Sequence, residues 1–161
     1  MREQKRPLNA ADVERRLQFI IDEASLPNPI YDQTVRMAFR VATNFYCVGR
    51  DCGSEYVYEF SRYRSEEANK VWRSGDWKKQ LHNEHQEPLK VVWDWIINDG
   101  QVTTKRLEER LRKWPMVVIT RDEERGIAKK ETCPIKRYEN IRVFQLADDK
   151  TWSLRVCPGS D

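Results

Sequence analysis

Glycine is scarce in this sequence, six residues in 161, and none of the six falls in a Gly-x-Gly-x-x-Gly or Walker-type Gly/Lys loop. Phosphate cradles need glycines that let the backbone approach the anion closely, so the common nucleotide cofactors are not expected. A Gly-x-Ser-x-Gly elbow and an EF-hand loop are also missing. So is any run of roughly 18 apolar residues that would span a membrane. The opening Met1-Arg2-Glu3-Gln4-Lys5-Arg6-Pro7 leads into no apolar stretch of the signal-peptide kind. Neither membrane insertion nor export is expected, and the expected location is cytoplasmic. Cysteine is sparse as well: the four, at 47, 52, 133 and 157, form no dense framework, and in a reducing compartment they are expected as thiols.

What is present suits one folded unit over residues 1–161, with short exposed tails at about 1–8 and 158–161. Hydrophobic residues make up 39% and charged residues 34%, enough of the former to bury a core without staples. The net charge of +3 is spread along a chain in which Lys and Arg alternate with Asp and Glu, so composition alone singles out no acidic partner.

The periodicity predicts helices through most of the chain. Asn9 caps a first helix whose inner face is Val13, Leu17, Ile20, Ile21 and Ala24, and Pro27 and Pro29 end it. Asp32 caps a second, with Val35, Ala38, Phe39, Ala42, Phe45 and Tyr46 at spacings of three and four. Tyr56, Tyr58 and Phe60 alternate, which leans to a strand over 55–64. A helix then runs from Ser65 through Trp72, and after Gly75 a shorter one, opening at Asp76, carries Trp77, Leu81 and both histidines. Pro88 opens a helix with the stripe Leu89, Val92, Trp93, Ile96 and Ile97, which ends at Asn98-Asp99-Gly100. Thr103 or Thr104 caps the next, with Leu107, Leu111 and Trp114 inward until Pro115. Met116–Ile119 form a short buried strand, and the capping box Thr120-x-x-Glu123 starts a brief helix to about Lys130. Ile141–Leu146 and Thr151–Val156 form a hairpin, with Trp152, Leu154 and Val156 on its buried side. The fold class is therefore α+β: a helix-rich N-terminal two thirds packed on a small antiparallel sheet with a C-terminal β-hairpin.

Three constellations offer function. The only two histidines stand close together in Leu81-His82-Asn83-Glu84-His85-Gln86-Glu87. On a helix they share a face, where His82 and His85 would ligate a divalent metal, or where His82, Glu84 and His85 would carry metal-assisted hydrolysis. The segment fits neither the His-Glu-x-x-His of zincins nor the His-x-Glu plus Pro-Cys-x-x-Cys of zinc deaminases. Cys47 and Cys52 are too loosely spaced to complete a zinc finger with the histidines, and Cys47 is better placed in the core.

The second constellation is the helix-turn-helix-like stretch Pro88–Trp114. Thr103, Thr104, Lys105, Arg106 and Arg110 supply donors for phosphates and base edges, and the terminal hairpin resembles a wing. Glu108 and Glu109 temper it, since they pair with Arg112 and Lys113 at helical spacing. The third is the set of tryptophans. Trp95 lies off the apolar stripe of its helix, and with Trp77 or the tyrosines between 56 and 63 it would anchor a protein partner. The leading expectation is a nucleic-acid-associated binding module, on DNA or RNA, of a prokaryotic, phage or mobile-element system. Its rivals are a metal-assisted hydrolase or nuclease, and an interaction or inhibitor protein without chemistry.

Overall fold

A computed structural model of the chain describes residues 9–48, 57, 60–74, 77, 79–127 and 129–155. The tails, Cys52, Cys157, Tyr56 and Tyr58 lie outside the described residues. In chain order the elements are α1 (Ala10–Ala24), α2 (Gln33–Val48), β1 (Tyr63–Ser65), α3 (Glu66–Ser74), β2 (Leu81–His85), α4 (Leu89–Asp99), α5 (Thr104–Lys113), β3 (Met116–Thr120), α6 (Arg121–Gly126), α7 (Pro134–Arg137), β4 (Val143–Leu146) and β5 (Trp152–Leu154). No helix among the described residues is long and apolar enough to cross a membrane.

The helix starts follow from their caps. Asn9 Oδ1 accepts the Asp12 amide at 2.9 Å while the Asp12 carboxylate accepts the Asn9 amide at 3.1 Å, so two orphan donors are satisfied reciprocally. Asp32 Oδ1 accepts the Val35 amide at 2.9 Å and starts α2. Gly100 ends α4 in the left-handed region, φ 67°, with its amide on the Ile96 carbonyl.

Helices α1, α2, α4 and α5 share one core, in which Leu17, Ile20, Phe39, Trp93 and Leu107 are almost wholly enclosed. Beside it runs a five-stranded sheet in the order β2-β3-β1-β4-β5. β3 is central to the chain's packing: Met116–Thr120 are all buried, as an interior strand with cover on both faces requires. Val118 packs on one face with Leu81 and Ala68 of α3, and Val117 and Ile119 pack on the other with Ile127, Tyr138 and Val143. Two contacts tie sheet and helices together. The Cys47 thiol at the end of α2 donates to the Met116 carbonyl at 3.2 Å, and buried Gln86 donates Nε2 to the Pro115 carbonyl at 2.9 Å.

The α+β class, the helical two thirds and the C-terminal strand pair are as the sequence predicts, but the sheet is mixed, because β1 runs parallel to β3. The larger correction concerns residues 81–85, expected as helix and found as strand, paired with β3 from Leu81↔Thr120 to His85↔Met116. His, Asn and Glu have little strand preference of their own; the ladder offered by β3 and the pocket for Leu81 decide the matter. In the 55–64 region Val57 and Phe60 are helical, with the Ser61 amide on the Val57 carbonyl at 2.9 Å, and the strand begins only at Tyr63. α6 stops at Gly126 instead of near Lys130, because Ile127 turns to extended backbone and buries against the sheet. Trp152 and Leu154 do share a side of β5, as the pleat demands, but they sit on an edge strand and Leu154 is 48% exposed. Ile97 leaves the α4 stripe and is 36% exposed.

Candidate functional site: a groove between two helix ends

The strand assignment separates the histidines. Side chains three apart on a strand point to opposite faces, so His82 and His85 share no ion. His82 lies with Glu84 on the face covered by α6 and α7. Its Nε2 is 3.3 Å from Glu84 Oε2 and 3.5 Å from Glu124 Oε1. The Glu84 hydrogen bond first, and the charge of Glu124 after it, raise the imidazole pKa against the opposing effect of partial burial. Glu84 is itself held by Arg137 Nη2 at 2.6 Å, and that buried guanidinium donates Nη1 to the Glu131 carbonyl at 3.0 Å. Next to it, buried Tyr138 has its phenol pKa pushed up by burial and then by Glu84.

On the other face, His85 Nε2 stands 3.1 Å from Thr43 Oγ1 of α2. Thr43 Oγ1 also lies 3.0 Å from the Phe39 carbonyl and 3.2 Å from the Arg40 carbonyl, and a hydroxyl that donates to either leaves its oxygen to accept from His85 Nε2. Burial lowers the His85 pKa to about 4, with Arg40 and Arg137 adding to the effect and Glu84 opposing it. Among the described residues no group of three or more His, Cys, Asp or Glu side chains is arranged to hold a metal ion.

The basic helix is also more occupied than its sequence suggests. Thr103 spends its oxygen on the Arg106 amide as N-cap, at 3.3 Å. Arg106 grips Asp99 through Nη1 and Nη2 at 3.0 and 2.9 Å. Arg110 grips Glu87 at 2.9 and 2.6 Å and lies 4.4 Å above the Trp95 ring, which is thereby covered. Thr104 is half-buried and Lys105 exposed. Trp77 packs against Trp72, with ring centroids 4.7 Å apart and planes inclined at 43°. Of the aromatic anchors expected from the sequence, Trp95 and Trp77 are thus engaged within the chain.

The open apolar surface lies elsewhere. Where α1 and α4 end side by side, Ile21, Ala24, Leu26, Pro27, Pro29, Ile96, Ile97, Gly100 and Val102 line a groove of about 400 Å³ with Ser25. The floor is core: Ala24, Ile96 and Val102 are buried. The walls are not, with Leu26 at 49% and Ile97 at 36% exposure, and Ile30, next to Pro29, reaches 70%.

No family model matches the chain, and neither a curated protein nor a solved structure matches it.

The groove's shape follows from its sequence. Pro27 and Pro29 forbid helix after Ser25, so Leu26 and Ile30 stand in a bent, non-helical connection, with the Leu26 amide on the Glu23 carbonyl of α1 at 3.4 Å. Gly100 turns the chain sharply after α4 and, lacking a side chain, adds nothing to fill the space: a Cβ there would meet no atom within 4 Å. The result is an open concavity without charged side chains, whose lining combines aliphatic side chains with polar surface of the chain turns. None of its residues stands among the polar and aromatic groups singled out from the sequence. The available signal was a pair of large aliphatic residues, Leu26 and Ile30, placed in a proline-punctuated connection where solvent is expected.

Proposed function

We propose that this chain is a protein-binding module that docks a partner by apolar side chains in the groove between the ends of α1 and α4. The observation that carries the reading is the exposure of Leu26 and Ile97 over a formed, uncharged cleft. Isolated exposed aliphatics are ordinary, whereas several around a concavity signal contact with another molecule. The test is a random-peptide selection on the immobilised full chain, with Leu26→Asp and Ile97→Asp as counter-selection. Ligands that bind the wild type and neither variant support the reading. A selection that returns no such ligand sinks it.

A second reading, contact with DNA or RNA through α5, rests on the Arg106 guanidinium held at the start of that helix by Asp99, beside exposed Lys105. A carboxylate that fixes a guanidinium also neutralises it, so fewer free charges serve this face than the sequence implies. Titration with a short mixed-sequence duplex at two salt concentrations tests it: Lys105→Ala should lower the salt slope by about 0.9 if Lys105 meets a phosphate. An unchanged slope removes the helix from consideration.

A further inference from the structure

α2 departs from the mixed charge of the rest of the chain. Between Asp32 and Asp51 the sequence holds no Asp or Glu, although 26 stand in its 161 residues, so α2 brings only positive charge to its surface. Arg36 and Arg40 are both exposed and stand one turn apart on one face, with exposed Met37 and half-buried Val41 on the adjoining ridge. The carboxylates nearest to hand are committed elsewhere. Asp32 accepts the Val35 amide at 2.9 Å as the N-cap, Asp94 holds Lys90, and Glu84 holds Arg137 at 2.6 Å. Among the described residues no carboxylate pairs with Arg36 or Arg40; Arg36 rests over the Tyr31 ring, 5.1 Å from its centre. The Arg40 charge is correspondingly felt on two sides. It opposes the burial that raises the Tyr31 pKa, and it adds to the burial that lowers that of His85.

We infer that this face of α2 docks an acidic protein segment: Arg36 and Arg40 take up carboxylates of the partner, and Met37 and Val41 receive an aliphatic side chain beside them. A guanidinium meets a carboxylate through two parallel hydrogen bonds, and its weak hydration favours the exchange of water for such a partner. A methionine on the apolar ridge adapts to the side chain it meets. The make-up of the face also selects among polyanions. A nucleic-acid backbone repeats its charge and is bound along a stripe of cations, and a bilayer surface requires a broad apolar face. Two guanidinium groups beside two apolar side chains match one short acidic segment instead. None of these residues lines the groove between α1 and α4, so the two surfaces are independent.

The test is a random-peptide selection on the immobilised full chain at low ionic strength, with Arg36→Glu/Arg40→Glu as the counter-selecting variant. Ligands that bind the wild type and not the variant should carry paired Asp or Glu with an aliphatic residue beside them. They should still bind Leu26→Asp and Ile97→Asp, which separates this face from the groove. Arg40→Gln should weaken such a ligand roughly threefold to tenfold and Met37→Ser about threefold. The Arg40→Gln difference should shrink as ionic strength rises from about 0.05 M to about 0.5 M, where screening shortens the reach of surface charge. Arg36→Gln/Arg40→Gln repeats the counter-selection without adding negative charge, and circular dichroism of both double variants should match the wild type, because the replaced side chains are exposed and Glu and Gln are good helix formers. A selection that returns no arginine-dependent ligand overturns the inference, and so do arginine-dependent ligands that lack acidic residues. Binding to phosphatidylserine vesicles or to single-stranded RNA that the double variants abolish, with no acidic peptide selected, also overturns it and assigns the face to another polyanion.

Discussion

The Arg110 guanidinium and the Glu87 carboxylate face each other fork to fork, with Nε on Oε2 at 2.9 Å and Nη2 on Oε1 at 2.6 Å. Glu87 is 8% exposed, and it sits where the chain leaves the sheet for α4, while Arg110 comes from α5. The pair therefore braces the crossing from sheet to helices, next to the Gln86–Pro115 hydrogen bond. Removing one partner strands the other in a largely desolvated place. Arg110→Ala should cost about 2 to 3 kcal/mol in urea unfolding, and it should also uncover Trp95 and shift its fluorescence. Glu87→Leu/Arg110→Leu should recover much of the loss. Arg106→Ala, which removes the exposed pair with Asp99, should move the midpoint little. Equal effects of Arg110→Ala and Arg106→Ala would show that burial does not set the strength of these pairs.

The two histidines should act on stability in opposite senses. For His85, burial lowers the folded pKa to about 4, so the neutral ring's contribution is complete above an unfolded value near 6.5 and is lost as pH falls from there toward 4. For His82 the pKa is raised by Glu84 and Glu124, so its contribution is present below about 6.5 and is lost as pH climbs through the raised value. Unfolding midpoints across this range should show an acid limb that flattens in His85→Gln, by roughly 2 kcal/mol, and an upper limb that flattens in His82→Gln. In His85→Gln the new side-chain amide keeps a donor for Thr43, so the variant should fold. An unchanged acid limb in His85→Gln would mean that the ring titrates as it does in water.

The helices and their caps were legible because they rest on local chemistry. Asn9, Asp32, Thr103 and Thr120 each close the hydrogen bonds their positions announce. β3 was legible too, since an unbroken apolar run between Pro115 and a capping box has few other fates. β2 was not: its residues form a strand only because Met116–Thr120 present a ladder at the right distance, and that information lies some thirty-five positions away. With the strand lost, the histidine pair was misjudged, since helix and strand place a three-residue spacing on the same and on opposite faces. The engaged state of Arg106 and Arg110 was equally hidden. Their partners, Asp99 and Glu87, lie seven and twenty-three positions away. The groove escaped because concavity arises where two helix ends meet, which no single stretch of sequence encodes.

Glu123 binds three donors with one oxygen: Oε2 accepts from the Ser65 hydroxyl at 2.6 Å, the Thr120 amide at 2.8 Å and the Thr120 hydroxyl at 3.1 Å. It thus joins the start of α6 to the end of β1, beyond the ordinary reach of a capping box. Ser65 Oγ in turn accepts the Ala68 amide at 3.0 Å and starts α3. Glu123→Ala should cost about 2 kcal/mol, above the roughly 1 kcal/mol of a cap alone, because buried Ser65 also loses its acceptor. Asn9→Ala, a cap with no such second duty, should cost about 1 kcal/mol. Equal losses in the two variants would reduce the Ser65 contact to an incidental one.

The groove reading makes a claim about stability as well as binding, because a docking surface is left open at the expense of apolar exposure and owes the fold little. Leu26→Asp and Ile97→Asp alter side chains that are half in water, so each should change the free energy of unfolding by under about 1 kcal/mol. Ile96 is the neighbour of Ile97 but only 3% exposed, and it belongs to the four-helix core. Ile96→Asp should unfold the chain or cost more than about 4 kcal/mol, since it buries an unpaired carboxylate. Gly100→Ala supplies the backbone counterpart. No atom crowds the new methyl, so the cost, about 1 kcal/mol, comes from the left-handed φ alone, and the groove should keep its shape and its ligands. If Leu26→Asp or Ile97→Asp destabilised the chain as much as Ile96→Asp, these side chains would be part of the core, and the groove would be a packing seam with nothing to receive.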